Sequence, residues 1–421
     1  MNVTPFFAKY NFFLCACFFV LVYVAFFFVF FAVFTLVFLW MFFLFFRFFL
    51  MNSLENDALY ALMRMALDPE CNPSFFSYKL NSIQWENLHS ECLRQQLVGV
   101  VYRAVNHLPK DQRPPLGLVF QWASEAETIR GQNQLFYDES AKLTQLFDAQ
   151  HRKTAVLKGP ANARLYTDMY MRQAGDIDLW VDGDRNSVVS LLHCMNFEIS
   201  DDMLSVHHVQ SYVTEKGISI EFHYIPSSGS DNPFADRRMQ CYLKNKISVA
   251  ELVPEGFYSP SIEFALVMQL AHIQWHFLEN GIGLKQLTDY YVLLCHSTQV
   301  DRVEVSSKLK SFGLWNTCRA VMWIMENIFG LAPEKMLAKP DERRGRMLLA
   351  EINAGGYFGM YPQKQEGCYC VVGWFKRRWR MVRLLRFDPI NIFWHEIGYW
   401  KAFVRYIPYR IKMRRISVRH L

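Results

Sequence analysis

"LKGPANARLYTDMYMRQAGDIDLWV", Leu157 to Val181, sets a Lys-Gly pair ahead of a polar stretch and then places Asp176 and Asp178 inside an apolar run. "TAVLKG" and "DIDLWV" each read as a short strand, the first ending at Gly159. Side chains alternate along a strand, so Asp176 and Asp178 share one face, their Cα atoms roughly 7 Å apart. Ile177, Leu179 and Val181 take the other face and are free to pack on helices. Downstream, "GISIEFHY" (Gly217–Tyr224) reads as a third strand. There Ile218, Ile220 and Phe222 share one face, and Glu221 and His223 the other. With the second and third strands adjacent, Glu221 joins Asp176 and Asp178 in one cluster.

Three carboxylates on one face repel, and without compensation at least one takes up a proton. A divalent cation is the usual compensation. Hard oxygen ligands suit Mg²⁺ or Mn²⁺, ions that also bring bound phosphates. The Gly159 turn fits that chemistry, because glycine lets the backbone approach a ligand and a following helix start offers N–H groups to phosphate. Lys158 and Arg172 are the candidates to neutralise phosphate charge. Each has a plainer reading: Lys158 as an exposed strand-end side chain, Arg172 in a structural pair with an acid.

The succession "LKGPANARLY", an Arg, "DIDLWV" and "GISIEFHY" resembles the nucleotidyltransferase superfamily that includes DNA polymerase β. Within it, the residues are most similar to a bacterial group of uncharacterised nucleotidyltransferases. The resemblance covers about Thr154 to Tyr224 and extends weakly through "HIQWHFLENGIGLKQLTDYYVLL". It implies that Asp176, Asp178 and Glu221 hold metal and carry catalysis, that Gly159 is the phosphate-side turn, and that NTP is the substrate. Lys158, Gly159, Arg172 and Lys285 are then the candidate nucleotide-binding residues. The turn departs from the superfamily's frequent Gly-Ser or Gly-Gly, since Pro160 follows Gly159 and offers no hydroxyl. The implied fold is α+β, a small mixed β-sheet nucleotidyltransferase core flanked by N- and C-terminal helical segments.

The expected organisation follows composition and periodicity. Residues 51–150 form an N-terminal helical region, 151–255 the α/β core, 256–370 a C-terminal helical region and 371–421 a basic, aromatic tail. Between the second and third strands, "NSVVSLLHCMNFEIS" fits a helix and a loop or short strand. His207 and His208 read as loop or strand-edge residues. His272 and His276 sit four apart on a helix, a zinc-capable spacing, but lack the metalloprotease glutamate. Lys285 and Asp289 share that spacing and also fit a simple helix pair.

Residues 1–50 stand apart. Nineteen of the 37 phenylalanines lie there, and no charge separates Lys9 from Arg47. Such a run exceeds the length of a membrane span. It also has the composition of translated T-rich DNA, and an ordinary helix start follows at Met51, with Ser53 placed as an N-cap. The functional protein is therefore expected to begin near Met51, with a membrane anchor over residues 10–46 as the competing reading. The catalytic region is expected in the cytoplasm in either case. Ten scattered cysteines without a CxxC pair read as reduced structural thiols.

The formal net charge of +6 is concentrated at one end. From Val372 to Leu421 there are 13 Lys/Arg against Asp388 and Glu396. Interleaved with aromatics, this tail favours a membrane-surface or partner contact over nucleic acid. The leading functional expectation is metal-dependent transfer of NMP from an NTP to an unidentified acceptor. The alternatives are a catalytically degenerate nucleotide- or partner-binding module of the same fold and, less favoured, a DxD glycosyltransferase, whose larger nucleotide-sugar domain does not suit so few strands.

Overall fold

A computed structural model of the full chain describes residues 54–70, 72–227, 229–356 and 370–412. The Phe-rich segment 1–50, with its readings as an anchor or as an upstream start, lies outside the described residues, as does 413–421 of the tail. The chain divides into two compact units, Met1–Ala58 and Leu59–Leu421, and the sheet and site belong to the second.

Four helices lead in: α1 (54–67), α2 (Ser82–Gln95), α3 (Val98–His107) and the long α4 (Leu116–Asp148). The α/β core then runs β1 (Thr154–Val156), a single turn α5 (Pro160–Ala163), β2 (Ile177–Val181), α6 (Arg185–Cys194), β3 (His208–Val213) and β4 (Ser219–His223). Helix α7 (Pro233–Ile247) and a small hairpin, β5 (Glu251–Leu252) with β6 (Tyr258–Ser259), lead to the C-terminal helices. These are α8 (Ile262–Glu279), α9 (Leu284–Cys295), α10 (Arg302–Ser311), α11 (Trp315–Asn327), α12 (Glu342–Gly355), α13 (Cys370–Leu384) and α14 (Pro389–Lys412). The fold is α+β, with a small mixed sheet between helical segments.

The sheet has the order β1-β2-β4-β3. β2 pairs antiparallel with β1 and parallel with β4, and β3 closes antiparallel on β4. The parallel register sets Asp178 beside Glu221 and Leu179 beside Phe222. The apolar face consumes Ile177, Leu179, Val181, Ile220 and Phe222, all fully buried. They form one core with Phe147 of α4 and with Val188 and Leu192 of α6. At about 1.5–3 kcal/mol for each such side chain, this burial fixes which face is inward. The alternation then leaves the carboxylates on the opposite face.

Strand β3 is one more than the three that the sequence suggests. It is an edge strand with a register irregularity between Val209 and Tyr212, so its alternation is broken where a reader of the sequence would look for it. Cys92, Cys194, Cys241, Cys295 and Cys318 carry free thiols. No helix among the described residues is long and apolar enough to cross a membrane.

The basic tail is built differently from a free appendage. Met381, Leu384, Phe387 and Ile392 are buried, and the Phe387 ring meets Phe277 of α8 at 4.8 Å. Arg380 donates to the carbonyls of Phe277 and Leu278 at the end of α8 and pairs with Glu351 at 2.8 Å. The outer face exposes Phe375, Trp379, Ile390, Phe393 and Trp400.

Candidate active site

Asp178 projects from the second position of β2 and is 1% exposed. Glu221 lies beside it on β4, and Asp176 stands just before β2 at the strand mouth. One ligand oxygen of each of the three approaches the others within 4.8 Å. The structure thus gathers the three carboxylates that the sequence places on a common face.

Two cations attend them. Lys158, from the segment after β1, puts Nζ 3.2 Å from Asp178 Oδ2 and 4.0 Å from Asp176 Oδ2. His223, two residues along β4 from Glu221, puts Nε2 3.1 Å from Asp178 Oδ1 and 3.3 Å from Glu221 Oε2. Burial pushes the Asp178 carboxyl pKa up, but Lys158 and the His223 hydrogen bond outweigh it and hold it below the ordinary value. Glu221 is likewise lowered against its burial by His223 and His208. Burial opposes the charge on His223, yet its bonds to Asp178 and Glu221 raise it to about 9. His208 of β3 stacks on His223 with ring centroids 4.7 Å apart, and burial and that neighbour depress it to about 4.

Gly159 has φ +63°, a conformation open to glycine at little cost, and an added Cβ would lie 3.0 Å from the Asp176 carbonyl oxygen. Turn and strand mouth are therefore closely packed. The expected helix start for phosphate is not realised. The turn after Gly159 is only Pro160–Ala163, Pro160 has no N–H, and the amides of Ala161, Asn162 and Ala163 donate to Lys158 and Gly159 carbonyls.

Arg172 is buried in a two-pronged ion pair with Asp289 of α9, at 2.7 and 2.8 Å. The Tyr166 hydroxyl donates to the same carboxylate at 2.6 Å. Asn133 of α4 donates to the carbonyls of Tyr170 and Arg172. The structure thus places Arg172 in the structural pair foreseen as its plainer reading. Together these bonds hold the loop that delivers Asp176. Asp289, against its burial, is lowered by Arg172.

Lys285 of α9 is also buried and donates to Gln96 at 2.9 Å; burial, then Arg172, lowers it to about 7. Lys158, Gly159, Asp176, Arg172 and Lys285 line one narrow cleft of about 30 Å³. Asn162 borders this cleft and also a cavity of about 550 Å³ beyond α5. Its Oδ1 accepts from Gln269 at 2.7 Å, and its buried Nδ2 has no hydrogen-bond partner. His272 and His276 meet edge to face at 4.2 Å on α8 and join neither metal-capable group found among the described residues.

Sequence reasoning left His208 and Asn162 without a role in the site, and held Asp289 only as a candidate beside Lys285 on a helix expected to face the site. For Asp289 a signal existed, its spacing from Lys285. For His208 the signal was the "HH" pair, which carries meaning only once β3 is placed beside β4.

A glycine turn, an aspartate strand and a third carboxylate on the neighbouring parallel strand, in this order, are the layout of a nucleotidyltransferase core. The chain belongs to a nucleotidyltransferase family: residues 81–330, more than half of its length, match the family model described as "Uncharacterised nucleotidyltransferase". No curated protein and no solved structure matches the chain significantly.

Proposed function

We propose that this protein transfers a nucleotidyl group from an NTP to an acceptor, with a divalent cation held by Asp176, Asp178 and Glu221. The convergence of these three carboxylates on one sheet face, within the family-matched region, carries the reading. The donor set fits the ion. It offers oxygens only, and the Lys158 ammonium 3.2 Å from the buried Asp178 Oδ2 marks a place where positive charge is already held against these carboxylates. Mg²⁺ or Mn²⁺ there supplies positive charge to the triphosphate.

The acceptor oxygen forms a bond to the α-phosphorus, the bond from that phosphorus to the bridging oxygen breaks, and pyrophosphate leaves. The chain's own part is positioning and charge. Lys158, at the carboxylates, is in reach of phosphate oxygens as they enter. Lys285 and the Arg172–Asp289 pair form the opposite wall of the cleft. The acceptor's proton passes to Glu221, whose carboxylate lies beside His223. The cleft is too narrow for a triphosphate as it stands, so the phosphates lie across its mouth or the α8–α9 side moves aside.

A second reading has an observation of its own. Lys158 already sits against Asp178, and the amides after Gly159 are committed within their own turn. Both features suit a module that binds nucleotide without turning it over. Pyrophosphate release by the full chain with each of the four NTPs, Mg²⁺ or Mn²⁺ and a cell extract as acceptor source separates the two. Transfer predicts metal-dependent release that Asp178→Asn reduces at least ~100-fold. Metal-dependent nucleotide binding without release favours the binding module.

A further inference from the structure

We propose that His208, His223 and Glu221 form a second metal site, distinct in chemistry from the carboxylate trio, that takes a borderline divalent cation of the Zn²⁺ class. The three residues bring one ligand atom each to within 4.8 Å of one another. His208 Nε2 lies 3.6 Å from Glu221 Oε2, and His223 Nε2 lies 3.3 Å from the same oxygen. Asp178 Oδ1, now hydrogen-bonded to His223 Nε2 at 3.1 Å, stands as a fourth donor once the ion displaces the proton from that nitrogen to solvent. Two ligands bound at about 2.0–2.1 Å around a tetrahedral ion are about 3.3 Å apart. The separations of both imidazole nitrogens from Glu221 Oε2, 3.6 and 3.3 Å, are close to the edge of such a polyhedron.

The local structure keeps these donors in place. The register pairs His208 with His223 across β3 and β4, so both imidazoles leave the same face side by side. Their rings stack at 4.7 Å, which fixes both planes. His208 Nε2 faces the carboxylate beyond ordinary hydrogen-bond length. Two imidazoles and a carboxylate select Zn²⁺ or Co²⁺ over Mg²⁺, which prefers oxygen and retains its waters.

Glu221 is common to both groups, so the site deepens the nucleotidyl-transfer reading. It rests on that reading only for the use made of the ion, not for its binding. Glu221 would bridge an oxygen-ligated ion on the Asp176 side and a nitrogen-ligated ion on the His208 side. The pair of sites would then load two different metals.

The test is a titration of the full chain, freed of metal by chelator, with Co²⁺ as a spectroscopic probe and no nucleotide present. The expected result is one Co²⁺ bound with the visible absorption of low-coordinate cobalt, displaced by Zn²⁺ and not by millimolar Mg²⁺. His208→Ala lowers the affinity at least about tenfold, and Asp176→Asn leaves the spectrum in place. Circular dichroism accompanies each variant, and His208→Asn replaces His208→Ala if the latter unfolds. Absence of bound Co²⁺, or a spectrum that the His208 variant does not alter, overturns the site. Mg²⁺-supported transfer without a Co²⁺ site leaves the proposed function standing and removes this inference. A Co²⁺ site without transfer does the reverse.

Discussion

Lys285 shows how the site's charge is set by burial. Its ammonium lies inside α9 beside Arg172, and its pKa falls to about 7 from the ordinary 10.5. The folded state therefore binds fewer protons than the unfolded chain between those two values. Stability is penalised below about pH 7 and recovers as pH rises from about 7 toward 10.5. Lys285→Met removes the buried charge and should raise stability at pH 7 by on the order of 1 kcal/mol or more, with a flatter pH profile in urea unfolding. An unchanged profile would show that Lys285 is solvated in the native state. Gly159 is the second decisive residue. Gly159→Ala combines φ +63° with a Cβ at 3.0 Å from the Asp176 carbonyl, so it should cost about 1–3 kcal/mol and shift Asp176. A variant as stable and as active as the parent would contradict that packing. At this scale Asp176 and Asp178 were legible in the sequence, because strand alternation puts them on one face, whereas Glu221 joined them only on the premise that its strand lies beside theirs. The pairing of Arg172 with Asp289 was not, because 117 residues separate them.

Among the elements, β2 and β4 carry the site and α9 braces it. Their apolar periodicity makes both strands visible in the sequence, and the parallel register of Asp178 with Glu221 follows from burying Ile177, Leu179, Ile220 and Phe222 together. Strand β3 escaped such reading, since a bulged edge strand with His208, Gln210 and Ser211 lacks a clean two-residue period. The turn after Gly159 also departed from expectation, because Pro160 and the internal amide bonds turn a helix start into a closed turn. The bracing role of α9 is testable through its ion pair. Asp289→Asn leaves the Arg172 guanidinium buried without its counter-charge and should cost roughly 3–5 kcal/mol. Because the pair holds the loop leading to Asp176, nucleotide affinity should fall with stability. Urea unfolding together with nucleotide titration checks both; loss of neither would remove α9 from the site's support.

In the whole molecule, the basic tail is part of the folded body as far as the hairpin of α13 and α14. Its inner residues Met381, Leu384 and Phe387 are buried, and Arg380 closes the end of α8, the helix that also supplies the cleft wall. Removing residues 370–421 should therefore lower the melting temperature by several degrees and expose Phe277, rather than leave an intact enzyme without a tail. Composition revealed the charge of this segment, but not that one side of it is core. The central claim nevertheless rests on the carboxylates. Its most direct measurement is transfer of α-labelled phosphate from each NTP by the full chain, with Asp176→Asn, Asp178→Asn and Glu221→Gln alongside. The account predicts metal-dependent labelling of an acceptor that all three variants lose while still folded. Labelling that persists in Asp178→Asn, or that needs no divalent metal, would contradict it.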